Sequence, residues 1–530
     1  DGYGGNFENM SRFPLEIISG IRNTIGPNFI LSYRISLADF ILNGQTLDEV
    51  ITLAKRLEEA GVTILNTGIG WHESAIPTTQ MMVPRAAFLP FLKTFKEKAG
   101  LHIPIVATNR INTPEIANEI LKTNQADLIG LGRALIADPY FVKKYIESRR
   151  EEINICIGCN QGCLDEIFKG HNVGCMVNPK TLEWEEKVKE KEKVKEKDQK
   201  SLKIAVVGAG PAGLSAAVTL AQRGHIVTIF EQKETIGGQV ALAKNIPGKE
   251  EFQEIINYYQ NAIKRLNISL NLSTKITIDN FKEQFQDPSK KNASNFDHII
   301  FSLGTSGFIP DIPGIDHQKV IPYANLLENP HLVENLGKRI AILGSGSTAT
   351  SIAYQVIKTK TYPKQNFYQD WGIDIEYKKR GALSEENKQN KNQNQNQNLE
   401  NTKIYMFQRQ EKKIAPKLGK TSRWIYLKTL RKYGVEFVSS VNYKLIDDDG
   451  LHITIDNIPH LVRVDNIVIC SGQKSNLEEK LFNKVKELWP KVKLHILGPS
   501  PLDKSISKNR HNNFDANKAI LHGSQLGDEI

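Results

Sequence analysis

Lys203-Ile-Ala-Val-Val-Gly208-Ala-Gly210-Pro-Ala-Gly213 reads as a short apolar strand, a glycine turn and the start of a helix. The glycines permit a tight turn and let a pyrophosphate approach the backbone at the positive end of the helix. Twenty-three residues after Gly208, the apolar run Ile226–Phe230 ends in Glu231, an acid placed to accept hydrogen bonds from an adenosine ribose. Strand, turn, helix and acid together predict a dinucleotide-binding βαβ unit. Gly237-Gly238-Gln239 follows as a second permissive turn, suited to contact with a flavin.

Downstream the pattern repeats. Arg339-Ile-Ala-Ile-Leu-Gly344-Ser-Gly346-Ser-Thr-Ala349 has alanine in the third small position, and its second strand falls at Lys403–Phe407. That strand ends in Gln408-Arg409 where an NAD-specific fold would carry an acid. A carboxylate there repels a 2′-phosphate and Arg409 pairs with it, so NADPH is the expected dinucleotide. The Asn/Gln run Asn387–Asn398 interrupts this second unit and is expected to be a disordered insertion, near 375–400.

Upstream of Lys203 lies Cys156-x2-Cys159-x3-Cys163-x11-Cys175. Four thiolates so spaced can enclose a tetrahedral zinc or a [4Fe–4S] cluster. Two nucleotide-binding units close behind favour the cluster, because redox cofactors in separate folds need a conductor. Cys470, in an apolar run, reads as a buried small side chain. Residues 1–150 alternate strand-like runs at Phe29–Ser36, Thr63–Gly70, Ile103–Arg110 and Asp127–Arg133 with amphipathic helices at Leu47–Ala60 and Pro114–Lys122. Four βα units make half of a (β/α)8 barrel, and a complete one needs about four more. A truncated parent, or a half-barrel completed by something else, is the expectation.

The fold class is therefore α/β: the C-terminal half of a (β/α)8 barrel, then two nested Rossmann-like FAD- and NAD(P)-binding domains of the glutathione-reductase type. The expected division is 1–150 for the half-barrel and 151–200 for the cysteine segment with its Glu/Lys-rich linker. Residues 201–330 and 465–530 fall to the FAD domain, and 331–464 to the NADP domain. Composition agrees with a large multi-domain chain of 530 residues. Its net charge of +10 comes from scattered lysines and suits anionic dinucleotides and coenzyme A; no nucleic-acid partner is expected. Five cysteines exclude a disulfide scaffold. No apolar run is long enough to span a bilayer, and the opening Asp1-Gly-Tyr-Gly-Gly5 has neither a signal-peptide pattern nor an initiating Met. A cytoplasmic protein without a membrane partner is expected; oligomeric state is not legible.

These residues resemble the bacterial-type 2,4-dienoyl-CoA reductases, iron–sulfur flavoproteins of the old yellow enzyme family. The segments that carry the resemblance are Asn66-Thr-Gly-Ile-Gly-Trp-His72-Glu, Ile76-Pro-Thr78, Cys156-Ile-Gly-Cys-Asn-Gln161, Ile246-Pro-Gly-Lys249-Glu-Glu-Phe252, Gln369-Asp-Trp-Gly-Ile-Asp374 and Leu418-Gly-Lys-Thr421. The resemblance implies that Arg34 lies against the FMN ring, and that Arg110, Gly132 and Arg133 hold the FMN phosphate. It makes His72 the catalytic residue that orients a thioester carbonyl. Glu231, Gln239, Lys249 and Ile276 would contact FAD, and Asp515-Ala516 would open the final helix. Electrons would run from NADPH through FAD, cluster and FMN to an acyl-CoA thioester. Two departures stand out: the family's general-acid Tyr is absent from this sequence, and Gly498-Pro-Ser-Pro-Leu-Asp503 replaces its C-terminal flavin motif. The 530 residues are therefore expected to reduce dyes with NADPH without reducing dienoyl-CoA. Other readings are a trimethylamine-dehydrogenase-like or enoate-reductase-like enzyme, or an electron-transfer module without a competent barrel.

Overall fold

The computed structural model describes residues 2–71, 73–181, 200–286, 289, 293–358, 364–384, 402–410, 413–498 and 515–530. The Glu/Lys-rich stretch up to 199, the Asn/Gln run and His72 lie outside them. Two units form, one of Asp1–Tyr145 with Thr361–Gln393 and the other of Ile146–Lys360 with Asn394–Ile530. Among the described residues, no helix is long and apolar enough to cross a membrane.

The first unit opens with α1 (Phe7–Ile25) and continues β1 (Ser32–Ser36), α2 (Leu47–Glu59), β2 (Ile64–Gly68), α3 (Leu89–Ala99), β3 (Ile105–Ala107), α4 (Pro114–Lys122) and β4 (Leu128–Ile129). The strands pair in parallel in the order β1-β2-β3-β4, as half of a (β/α)8 barrel should. Local chemistry sets the helix starts. Thr46 and Glu49 form a reciprocal capping box at α2, and Thr113 caps α4 with Pro114 in the first helical position. Helix α1, absent from the sequence expectation, is tied to α2 by paired bonds of 2.8 and 2.9 Å from Arg56 to Glu8.

A distant stretch completes this unit's core. The helix Lys364–Trp371 brings Phe367 to within 6.0 Å of Phe88, centroid to centroid, and the turn after it brings Tyr377 to within 5.9 Å of Phe91. Phe40 joins both, and all of these rings are buried. The sequence pattern places 364–384 among the residues of the second dinucleotide unit, but those residues bury their aromatic side chains here.

The second unit holds two five-stranded parallel sheets of one topology. The first runs β14-β8-β5-β6-β7, from β5 (Lys203–Val207), β6 (Ile226–Phe230), β7 (Ser269–Asn271), β8 (His298–Phe301) and β14 (Lys493–Ile496). The second runs β9-β13-β10-β11-β12, from β9 (Val320–Pro322), β10 (Arg339–Leu343), β11 (Lys403–Phe407), β12 (Glu436–Val438) and β13 (Asn466–Ile469). In each the glycine-turn strand is central and the chain winds outward on both sides, which leaves a crevice at its C-terminal end. Helix α5 (Pro211–Gln222) follows β5, α6 (Ser347–Ile357) follows β10, α7 (Lys420–Lys432) precedes β12, and α8 (Ala516–Glu529) ends the chain. The sheet strands are nearly continuous apolar runs because both faces are covered.

Candidate functional site

In the first unit the residues implicated by sequence gather at one end of the sheet. Arg34 lies in β1, Arg110 follows β3, and Gly132 and Arg133 follow β4, all toward the C-terminal strand ends where barrel enzymes bind ligands. Arg34 is exposed and runs alongside Gly68, whereas Arg110 is buried and donates from Nε to the Val83 carbonyl at 2.8 Å. Asn66, opposite Arg34 in the register, has an enclosed Oδ1 that accepts no hydrogen bond from the described residues. An orphaned acceptor beside an unburied guanidinium suits a polar ring system with an N–H to donate, which the flavin edge provides.

The cysteine segment belongs to the second unit. Cys156 and Cys159 are buried, Cys163 and Cys175 half-buried. Burial pushes the Cys159 thiol well up, a backbone N–H from Gln161 opposes this, and the nearby Cys156, Cys175 and Cys163 push it further. Burial likewise drives Cys175 to about 12, against N–H groups of Asn178 and Val177. Among the described residues, no three His, Cys, Asp or Glu side chains come close enough to hold a metal ion. Still, four close cysteines whose thiolates would repel one another, with backbone N–H groups directed at Cys159 and Cys175, are a donor set that ionises readily only beside a cation, and in kind they fit a thiolate-bound metal group. Asp165 of the same segment is buried and accepts the Thr421 N–H at 3.0 Å, which caps α7.

The first glycine turn is tight. A Cβ on Gly213 would stand 2.1 Å from the Gly208 carbonyl oxygen, so no other residue fits there. Glu231 is buried and accepts from Ala209 N at 2.7 Å and Lys233 N at 2.9 Å, which ties the strand end to the turn. The second turn, at Gly237 and Gly238, faces the first: a Cβ on Gly238 would meet Gly210 Cα at 3.1 Å. Asp515 caps α8 by accepting Lys518 N at 3.0 Å. Helix α8 lies parallel to α5, Ser215 bonding the Ile520 carbonyl at 2.7 Å and Thr219 meeting Ser524. Both contacts share one register offset, and that offset also separates the two helix starts, Pro211 and Ala516. The two N-termini are therefore level and present their partial positive charges side by side, a fit for a pyrophosphate. Gln239 is exposed and donates to Thr305 O, while Ile276 is enclosed in the apolar core with Phe281 and Phe285. Lys249 donates to Ser351 Oγ of α6 at 2.8 Å, and burial lowers its pKa to about 8.

In the second dinucleotide unit Gly346 caps α6, Ala349 is buried, and Gly344 N bonds the Phe407 carbonyl at 2.9 Å. Ser345 Oγ meets Gln408 Oε1 at 2.5 Å. Around them, at the end of β11, lies a cavity of about 360 Å³ lined by Ser345, Gln408, Lys413, Arg423, Leu427 and Arg431, among others. Arg409, singled out from the sequence, is exposed and does not line it; its charge acts on Tyr443 instead. Arg423 and Arg431 carried no signal of their own, since they stand more than a dozen residues past the strand end. The recoverable clue was their position with Lys420 and Lys428 at helical spacing around Leu427.

The family model for pyridine nucleotide-disulphide oxidoreductases matches residues 202–488, and that of the NADH:flavin oxidoreductase / NADH oxidase family matches 1–152. Among curated proteins, a metal reductase of Desulforamulus reducens is 29% identical over 92% of this chain and 69% of its own length. An NADH oxidase of Thermoanaerobacter brockii is 34% identical over 61% of this chain and 47% of its own. The chain thus spans about two-thirds of one relative and about half of the other. A solved complex of 2-naphthoyl-CoA reductase with 2-naphthoyl-CoA aligns with 100% of this chain and 70% of that one, at a TM-score of 0.79 and 26% identity.

Proposed function

The chain belongs to the pyridine nucleotide-disulphide oxidoreductase family and is an NAD(P)H-dependent flavin oxidoreductase; from that premise we propose that the native protein, in which a complete barrel closes around the acceptor, uses NADPH to reduce a conjugated acyl-CoA thioester. A 2,4-dienoyl-CoA, from the breakdown of unsaturated fatty acids, is the acceptor the motifs favour. The observation that carries the reading of the donor is the cavity at the end of β11, whose lining among the described residues includes three cations and no carboxylate. The acceptor reading draws support from likeness to a reductase solved with an acyl-CoA.

Arg34, Arg110, Gly132, Arg133 and the Asn66 acceptor would hold FMN. Gly208, Gly210, Gly213 and the paired starts of α5 and α8 would hold FAD. Cys156, Cys159, Cys163 and Cys175 would hold a [4Fe–4S] cluster. When bound, these groups supply hydride acceptance and one-electron transfer between folds. The protein's own part is electrostatic and positional: the helix starts balance the pyrophosphate charge, Arg34 sets a positive charge at the strand ends, and His72 orients a thioester carbonyl by hydrogen bonding. Anaerobically purified native protein should contain iron and acid-labile sulfide, and should oxidise NADPH faster when a dienoyl-CoA is added. Zinc without iron would overturn the cluster; indifference to the thioester, with dyes still reduced, would overturn the acceptor.

A further inference from the structure

We propose that the 2′-phosphate of the dinucleotide is read by Arg423 and Arg431, presented from one face of α7, and not by Arg409 at the strand end. This deepens the NADPH reading and rests on it. In a Rossmann-type fold the adenosine ribose falls at the C-terminal end of the second strand, beside the glycine turn. Here that place is the cavity bounded by Ser345 of the turn and Gln408 of the strand end. A cation that reads a 2′-phosphate must face this cavity. Arg409 does not line it, whereas Arg423 and Arg431 do.

The two arginines stand eight residues apart on α7, about 12 Å along the helix axis. Leu427 sits midway between them on the helix and lines the cavity with both. Arg423 is aimed by one bond, from Nε to the Ile414 carbonyl at 2.8 Å, which leaves the outer guanidinium edge for a ligand. Among the described residues, no carboxylate lines the cavity. A second cavity, of about 550 Å³, shares Lys413, Arg423, Leu427 and Arg431 with the first. The phosphate belongs where the two meet. Two guanidinium groups beside an apolar Leu427 favour a dianion, and planar donor forks suit its oxygens.

The test is calorimetric binding to the full chain of adenosine 2′,5′-bisphosphate and of 5′-AMP, which differ only in the 2′-phosphate. Wild type should prefer the bisphosphate. Arg431→Gln, whose side chain makes no structural bond among the described residues, should weaken the bisphosphate by about tenfold or more and 5′-AMP by less than about twofold. Arg423→Gln should behave alike, and Arg423→Lys should recover part of the loss. A larger bisphosphate loss in Arg409→Gln than in Arg431→Gln would overturn this assignment and leave the NADPH reading standing. Equal binding of both probes by wild type would overturn the NADPH reading itself.

Discussion

Lys249 sits in an environment that opposes its charge. Its ammonium is desolvated against Ser351, 5.8 Å from the Tyr426 ring centre, with no carboxylate bonded to it among the described residues. Burial lowers its pKa from 10.5 to about 8, so below pH 8 both folded and unfolded chains hold the proton and the folded state bears the full desolvation cost. Between about pH 8 and 10.5 the unfolded chain holds that proton and the native one does not, so stability rises with pH in that window. Lys249→Met should raise stability at pH 7 and flatten the rise; urea unfolding at pH 7, 9 and 10 measures both. Parallel pH curves for the two proteins would refute the assignment. At this scale the sequence was informative where function depends on near neighbours. Glu231 and the glycines of Gly208–Gly213 are set by spacing along one strand and turn, and the structure joins Glu231 to that turn through the Ala209 N–H. Arg431 reaches the same kind of site through a helix that returns from elsewhere, which spacing from the strand end does not encode.

At the scale of elements, the packing of α5 on α8 sets the geometry of the flavin cradle. A Cβ on Gly523 would come within 2.2 Å of the Ala212 carbonyl oxygen, and one on Gly527 within 2.8 Å of Thr219 Cβ. Gly523→Ala gains about 1 kcal/mol of helix propensity, but a contact that short forces the helices apart at about 1–3 kcal/mol. The clash should win: thermal unfolding moves down, and flavin per chain falls as the two helix starts lose their common level. Unchanged Tm and flavin content would show that α8 takes no part in the cradle. The pairing was half legible. The resemblance put the start of the last helix at Asp515-Ala516, and a helix does start there. Its parallel register with α5 was hidden, because the small residues that permit it are silent until the partner is known.

The whole molecule is divided otherwise than a linear reading suggests. Four short parallel strands and two glycine-turn sheets were foreseeable from periodicity and turn chemistry. The passage of 364–384 into the first unit was not, since the rings it meets, such as Phe88, lie almost three hundred residues away. Phe367→Ala opens a cavity among Phe40, Phe88 and Phe91 and should cost about 3–5 kcal/mol, lowering the unfolding transition of the first unit alone in a calorimetric scan. An equal shift of the second unit's transition would contradict the division. The same excursion bears on the chain's time of manufacture. When Tyr145 leaves the ribosome the first unit still lacks Phe367, Tyr368 and Tyr377, which arrive roughly 230 residues later, or about 10–50 s at ordinary elongation rates. For that interval an aromatic half-core is open to solvent while the first dinucleotide sheet is being made, so nascent chains stalled between residues 145 and 364 are the form of this protein that chaperones should hold longest.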